Sequence, residues 1–252
     1  GAIHEGHLSL VRQAQDCADR IVASIFVNPL QFGANEDFNT YPRDEAEDAA
    51  KLTEAGVHLL YAPGPKEMYP EGFATNVHVS RLSEGLCGQS RPSHFDGVAT
   101  VVAKLLLQCA PDIAIFGEKD YQQLLVIKRL VRDLDIPIEI AGAPIVREAD
   151  GLALSSRNAY LSPNERRTAP ILYRSLEEAA REIAAGLLCE AALEKASATL
   201  KEAGFRIDYL EARDPQTLAT LSGPVETARL LVAAFLGKTR LIDNVAVPPP
   251  GT

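Results

Sequence analysis

The sequence predicts an α/β protein: a parallel sheet covered on both faces, followed by a smaller α+β part. Three observations carry this. Short apolar runs rich in Ile and Val alternate with stretches of helical periodicity over the first part of the chain, as in strands buried on both faces. After about Leu161 that alternation gives way to two helical segments and then to strand-like runs. The chain has 252 residues, 46% of them apolar, enough for one large domain or two modest ones with a real core.

Gly1 to Gly6 reads as a loop, and a helix follows over about His7 to Ala18, with Leu8, Val11 and Ala14 on one face. Arg20 to Val27 is a buried strand stopped by Asn28-Pro29. Pro42 suits the first turn of a helix over Arg43 to Ala55, where its missing N–H is harmless. Val57 to Tyr61 is a strand, Gly64, Pro65 and Pro70 mark a long loop, and Val77 to Val79 reads as an edge strand. Gly97 to Cys109 is helical, Ile113 to Phe116 a strand, Asp120 to Leu134 a helix, and Pro137 to Ile140 and Pro144 to Val146 are strands. Helices over Pro163 to Ala185 and Cys189 to Ala203 precede strands over Arg206 to Ala212 and Glu226 to Phe235. Pro248 to Pro250 reads as a frayed tail. The domains are placed at 1–150 and 151–252.

In parallel sheets ligands sit beyond the carboxyl ends of the strands. Asn28, Gly117 and Arg147 each lie just past a strand, which points all three to one crevice.

Composition excludes several classes. The net charge is -9, with no basic stripe, against a nucleic-acid partner. The longest apolar stretches are too short or interrupted to span a bilayer, and no signal peptide opens the chain. The four cysteines form no CxxC pair. Cys17 and Cys109 fall in helical apolar patterns, as small buried hydrophobes would, so a reduced, cytoplasmic setting fits and structural zinc does not. The runs Glu45-Ala46-Glu47-Asp48 and Leu176-Glu177-Glu178 read as solvated helix faces.

Three stretches could carry chemistry. His4 and His7 stand three apart where a loop enters a helix, so both imidazoles lie on one side of a turn. Gly6 permits close approach by a ligand, and the helix amino end offers N–H groups to phosphate. The same spacing would serve a histidine cap beside a surface histidine. Gly117-Glu118-Lys119-Asp120 follows a strand; Lys119 can reach a triphosphate and Asp120 can cap the next helix, although a surface turn looks alike. Leu154-Ser155-Ser156-Arg157-Asn158 is either a capped loop or a place where Arg157 neutralises a leaving pyrophosphate.

In this order the His-x-Gly-His turn and the late Ser-Ser-Arg loop resemble the paired signatures of the nucleotidylyltransferase superfamily. Longer segments narrow the resemblance: Ser24 to Phe32, Tyr41-Pro42-Arg43, Arg91 to Phe95, Phe116 to Gln123, and Val146 to Asn158. Together they resemble the pantothenate synthetase (pantoate–β-alanine ligase) family from Gly1 to about Asn244. That resemblance implies a Rossmann-like parallel-sheet domain with a smaller α+β C-terminal lid domain. It also implies a homodimer. The implied reaction forms pantoyl adenylate from ATP and (R)-pantoate with Mg²⁺, and the amine of β-alanine then yields pantothenate and AMP. Both steps need positioning and charge neutralisation more than a covalent nucleophile.

The resemblance also assigns residues. His7 matches the family's proton donor, and His4 joins it on the phosphates; hydrogen bonding to the transition state is the better physical role, since a metal-bound pyrophosphate needs little protonation. Lys119 steadies the triphosphate, and Arg157 closes over it. The ATP-contacting segments correspond to Gly1, Ala2, Ile3, His4, Glu5, Gly6 and His7, to Gly117, Glu118, Lys119 and Asp120, and to Val146, Leu154, Ser155, Ser156 and Arg157. Gln31 and Gln123 match pantoate-binding positions, with Gln31 also beside β-alanine; their amides suit a carboxylate and hydroxyls. Asn28 supports that geometry. Asp48 is offered on the magnesium side, a position that equally suits a solvated helix face.

Family members carry a further strand and helix ahead of the position of Gly1, so a truncated or differently started chain is expected, with a neighbouring strand short of a ladder partner. Without the longer motifs, two other readings stay open. One is a nucleotidylyltransferase that releases a stable nucleotidyl product. The other is a non-enzymatic binding protein, which would have no reason to combine His4, His7, Lys119 and Arg157 with acid-binding amides.

Overall fold

The computed structural model describes residues 2–33, 38, 41 and 43–249; Gly1, Pro42 and Pro250, each given a role above, lie outside them. The chain forms two compact units, Gly1–Ile145 and Val146–Thr252.

The first unit alternates as expected. Helix α1 spans Glu5–Gln15, strand β1 Val22–Ser24, α2 Glu45–Glu54 and β2 Leu59–Tyr61. Short helices α3 (Pro65–Met68) and α4 (Leu86–Ser90) lead to α5 (His94–Cys109), β3 (Ile113–Gly117), α6 (Tyr121–Asp133) and β4 (Glu139–Ala143). Among the described residues these strands form two parallel pairs, β1 with β2 and β3 with β4. Helix α1 belongs to both. Its Val11 packs with Ile21 and Leu52, joined by Ile3, Leu8, Ala14, Ala23 and Leu60. It also packs on β3 and β4, and Gln13 Nε2 donates to the Gly142 carbonyl at 3.1 Å.

Several expected bounds shift. The edge strand at Val77–Val79 and the strand at Pro144–Val146 do not form; the Val77 N–H instead donates to Thr100 Oγ1 at 2.9 Å. Helix α5 starts at His94, ahead of the expected Gly97, because Ser93 turns the chain in the left-handed region at φ 66°. Cys17 is exposed just past α1 and Cys109 is half-buried, whereas the buried thiols are Cys87 and Cys189. Helix α1 ends at Gln15, two residues short of Cys17, so the thiol falls outside its packed face. Asp48 leaves the solvated face: Glu45 and Glu47 are exposed, but Asp48 is 1% exposed.

In the second unit the single helix expected over Pro163 to Ala185 is two, α7 (Pro163–Thr168) and α8 (Ile171–Ala184). Pro170 lacks the N–H that would continue the ladder and would crowd the carbonyl a turn back. Helix α7 opens with a capping box, Ser162 N–H to Glu165 Oε2 at 2.8 Å and Glu165 N–H to Ser162 Oγ at 3.3 Å. Helix α9 (Cys189–Glu202) precedes an antiparallel sheet in the order β5 (Phe205–Arg213), β6 (Arg229–Leu236), β7 (Thr239–Ala246). Leu230, Val232, Ala234 and Leu236 alternate on the β6 face that packs with Leu172, Leu176 and Ile183 of α8 and Leu200 of α9. Truncating Leu176 or Leu200 to Ala would cost about 2–5 kcal/mol. Strand β7 was not expected. Its hairpin turns at Gly237-Lys238, between the paired Leu236 and Thr239, with Gly237 at φ 57°, which glycine adopts without strain.

Among the described residues no helix is long and apolar enough to cross a membrane.

Candidate active site

The histidine turn is built by its own side chains. His4 is the N-cap of α1 in extended conformation, φ −130°. Its Nδ1 accepts the Gly6 N–H at 3.1 Å, and His7 Nδ1 accepts the His4 N–H at 3.2 Å. Two imidazoles thus perform the reciprocal cap usually made by Ser and Glu, and the rings stack with centroids 3.9 Å apart. A ring nitrogen that accepts a hydrogen bond carries no proton, so each neutral ring bears its hydrogen on Nε2. Both rings present an N–H donor beyond the cap.

The electrostatics favour that state. Burial, then the neighbouring His4, pulls His7 down to about 4. Burial, then the positive charge of Lys119, lowers His4 below its ordinary value, and Lys51 pushes the same way. Asp120 opposes the shift of His7. These interactions bring His4, His7, Lys119 and Asp120 into one neighbourhood of the first unit.

Ala2 precedes the turn in the left-handed region at φ 57°, and Glu5 is exposed and ion-pairs with Arg12. Ile3 is held at both polar groups: its N–H donates to Asp48 Oδ1 at 2.6 Å, and its carbonyl accepts from Lys51 Nζ at 3.0 Å.

Gly117 ends β3, and a 3₁₀ turn over Glu118–Asp120 carries Lys119 half-buried into α6. A Cβ added at Gly117 would meet nothing within 4 Å; open space adjoins its backbone. Asp120 stands at the N-cap of α6 but its side chain makes no cap hydrogen bond, contrary to the expected capping role. It is exposed instead.

Gln31 closes a 3₁₀ turn, Pro29–Gln31, whose geometry radiates from Asn28. Asn28 is 1% exposed. Its Nδ2 donates to Gln31 Oε1 at 3.1 Å and to the Gly97 carbonyl at 3.0 Å. Its Oδ1 accepts from Tyr69 at 2.7 Å and from the Leu30 N–H at 3.2 Å. Both amide hydrogens and the oxygen are therefore engaged, and Gln31 is left with its Nε2 donors to offer. Burial pushes the Tyr69 hydroxyl up to about 12, so it stays a donor. The turn lies hard against α5: a Cβ on Gly97 would come within 2.4 Å of the Leu30 oxygen.

The Arg91-to-Phe95 motif acquires a physical role here. His94 Nδ1 meets the Gln31 carbonyl at 2.8 Å, Arg91 Nη2 donates to the same oxygen at 3.3 Å, and Arg91 Nη1 lies 3.0 Å from His94 Nε2. Tyr69, Arg91 and His94 were not singled out as site residues. The unusual polarity of Arg-Pro-Ser-His ahead of an apolar helix signals Arg91 and His94, and no local pattern signals Tyr69.

Gln123 lies half-buried in the first turn of α6, which packs on α5 as the Gln31 turn does. Its neighbour Gln122 is buried and structural, donating to Leu82 and Gly85 carbonyls at 3.0 and 3.2 Å and accepting the Cys87 N–H at 3.1 Å.

The remaining residues belong to the second unit. The Val146 carbonyl accepts the Leu154 N–H at 3.0 Å, across a tight turn at Gly151. Ser155 caps the 3₁₀ turn Ser156–Tyr160 by accepting the Arg157 N–H at 3.3 Å. Asn158 Nδ2 ties the turn to Glu148 Oε1 at 3.2 Å and to the Ala153 carbonyl at 3.1 Å, while Arg166 holds Glu148 and Asp150. Arg147 is engaged within its own unit: both guanidinium ends reach Asp243, at 2.7 and 2.9 Å, and its plane covers Tyr173 at 3.7 Å.

The pantoate-beta-alanine ligase family profile matches residues 1–246. The pantothenate synthetase of Rhodospirillum rubrum is 62% identical over 249 residues, 98% of this chain and 88% of that protein. That of Paramagnetospirillum magneticum is 59% identical, covering 99% and 88%. The crystal structure of pantothenate synthetase from Thermus thermophilus aligns with a TM-score of 0.96 at 53% identity, over 99% of this chain and 91% of that one. Pantoate-beta-alanine ligase from Francisella tularensis, complexed with beta-gamma ATP and beta-alanine, aligns at 0.81 with 35% identity, over 100% and 88%. The family profile and likeness to these proteins along nearly the whole chain agree: the chain belongs to the pantoate-beta-alanine ligase family.

Proposed function

We propose that this chain condenses (R)-pantoate with β-alanine, with His4, His7, Lys119 and Arg157 acting on ATP and with Gln31 and Gln123 holding pantoate. The pantoate carboxylate attacks the α-phosphorus of ATP, the bond to the bridging oxygen breaks, and pyrophosphate leaves. The β-alanine amine then attacks the acyl carbon of the pantoyl adenylate, AMP departs with the bonding electrons, and the amine loses its proton. The product is pantothenate.

The observation that carries this reading is the pair of neutral imidazoles with Nδ1 engaged and Nε2–H available beside Lys119. Fixed neutral donors stabilise charge as it grows on phosphate oxygens without having to be deprotonated themselves. His7 therefore serves as a hydrogen-bond donor more than as an acid. Backbone around Ala2, Ile3, Glu5, Gly6, Gly117, Glu118, Val146, Leu154, Ser155 and Ser156 lines the nucleotide in this reading, and Arg157 neutralises the departing pyrophosphate. Gln31 also lies beside β-alanine, a ligand named for the Francisella tularensis structure.

Magnesium would arrive with ATP and supply positive charge to the departing pyrophosphate, beside Lys119 and Arg157. Among the described residues no three His, Cys, Asp or Glu side chains converge into a cage of their own, and Asp48 is engaged with Ile3. The family relationship supports a homodimer, checked by light scattering. Dependence on ATP and the free state of all four cysteines support a cytoplasmic setting.

Pantoate-dependent ATP–pyrophosphate exchange tests the first step. Exchange without β-alanine, and AMP with pantothenate once it is added, is expected. Exchange that ignores pantoate would overturn the reading.

A further inference from the structure

We propose that Asp48 and Lys51 are positioning residues: one turn of α2 clamps the Ile3 peptide at both polar groups and so fixes His4, and through it His7, for nucleotide activation. The inference rests on the assignment of the histidine pair to ATP.

Asp48 and Lys51 lie on the same face of α2, one turn apart. One takes the Ile3 N–H at 2.6 Å and the other gives a hydrogen to the Ile3 carbonyl at 3.0 Å. The lysine is itself steered by Glu47, at 2.7 Å, and Asp44 caps the helix by accepting the Glu47 N–H at 2.9 Å. The Ile3 side chain packs with Val11, Ile21 and Leu52. Ile3 is therefore held by its N–H, its carbonyl and its side chain.

The next residue along is the N-cap itself. The His4 N–H is spent on His7 Nδ1, so the direction in which the chain enters the turn is set at Ile3, immediately after the left-handed Ala2. Rotation of that peptide swings the His4 ring, and the stacked His7 ring follows. Displacement of a catalytic group by about 1 Å lowers a rate roughly 100-fold. A buried carboxylate on a backbone N–H is a strong, charge-assisted bond, so the clamp is stiff. Lys51 adds a charge effect, since it helps keep His4 neutral.

The test compares Asp48→Ala, Asp48→Asn, Lys51→Met, Lys51→Arg and His7→Ala in the intact chain. It reads pantoate-dependent ATP–pyrophosphate exchange, the pantoate KM, and amide hydrogen exchange at Ile3. Asp48→Ala and Lys51→Met are expected to lower the exchange kcat roughly 10- to 100-fold with KM within about twofold. Asp48→Ala should also speed Ile3 amide exchange about tenfold or more. Asp48→Asn keeps an acceptor and Lys51→Arg keeps a donor, so both should recover most of the rate. If Asp48→Ala does not fold, Lys51→Met decides. A folded Lys51→Met with wild-type kcat, or an Asp48→Asn no better than a folded Asp48→Ala, overturns the clamp. Full exchange activity in His7→Ala would instead sink the histidine assignment, while Ile3 amide exchange would still report the clamp.

Discussion

His7 Nδ1 accepts the backbone N–H of His4 at 3.2 Å while the two rings stack with centroids 3.9 Å apart. The hydrogen bond and the stack together require an unprotonated His7, and this has a measurable pH signature.

In the folded chain His7 is lowered to about 4 from an ordinary 6.5, first by burial and then by His4. A group whose folded value lies below its unfolded value destabilises the fold as pH falls through that window, because only the unfolded chain takes up the proton. Stability should therefore drop between pH 6.5 and pH 4, with no contribution from His7 above it. Thermal unfolding across that range checks this. His7→Gln should show a shallower slope than the parent.

Burial first, and then the field of the neighbouring Lys119, lowers His4 below its ordinary value. Lys119→Gln should raise the His4 titration midpoint towards its ordinary value, seen in the ring resonances by NMR. It should also slow adenylate formation roughly 100-fold, as expected when a cation facing developing charge is removed. An unmoved midpoint would separate Lys119 from the histidine turn.

Gly97 is required by close approach rather than by backbone conformation. Ala at this position is favoured in a helix by about 1 kcal/mol, yet its Cβ would lie 2.4 Å from the Leu30 oxygen and 2.7 Å from the Gln31 nitrogen. Gly97→Ala should push the turn off α5 and raise the pantoate KM about tenfold or more. Steady-state kinetics at saturating ATP would reveal it, and an unchanged KM would mean that Gln31 does not hold pantoate.

The Arg147–Asp243 pair organises the second unit, with the Asp243 side chain only 1% exposed. Removing one member leaves the other charge buried, at a cost of about 3–5 kcal/mol. Asp243→Ala should show that loss in urea unfolding. The double variant Arg147→Met/Asp243→Leu should recover much of it.

Much of the architecture was legible because burial and periodicity coincide. Val98, Val102 and Leu106 announce α5, and the residues that stack into the second core, Leu230 through Leu236, alternate as a strand must. The bounds slipped where a local geometry overrides the pattern: Ser93 in the left-handed region extends α5, and Pro170 divides one helical pattern into two helices. Strand β7 was not legible, because buried polar residues interrupt its apolar pattern: Asp243 answers Arg147 from a distant part of the chain. The donors His4, His7, Lys119 and Gln31 stand out in the sequence by type and spacing. The contacts that hold the first and last of them do not: Tyr69 reaches Asn28, and Asp48 reaches Ile3, across sequence separations that no local spacing encodes.

Helix α1 touches β3 and β4 on one side and packs Val11 against Ile21 and Leu52 on another, and its amino end is the histidine turn. One short rod thus rivets two strand pairs that share no ladder among the described residues. An anion seated on that end does more than dock: it loads the rivet. Occupancy by nucleotide at about a hundred times its dissociation constant adds about 2.7 kcal/mol to whatever unfolds with the site. Because α1 is common to both pairs, nucleotide bound as proposed would reinforce β1 and β2 as well as β3 and β4.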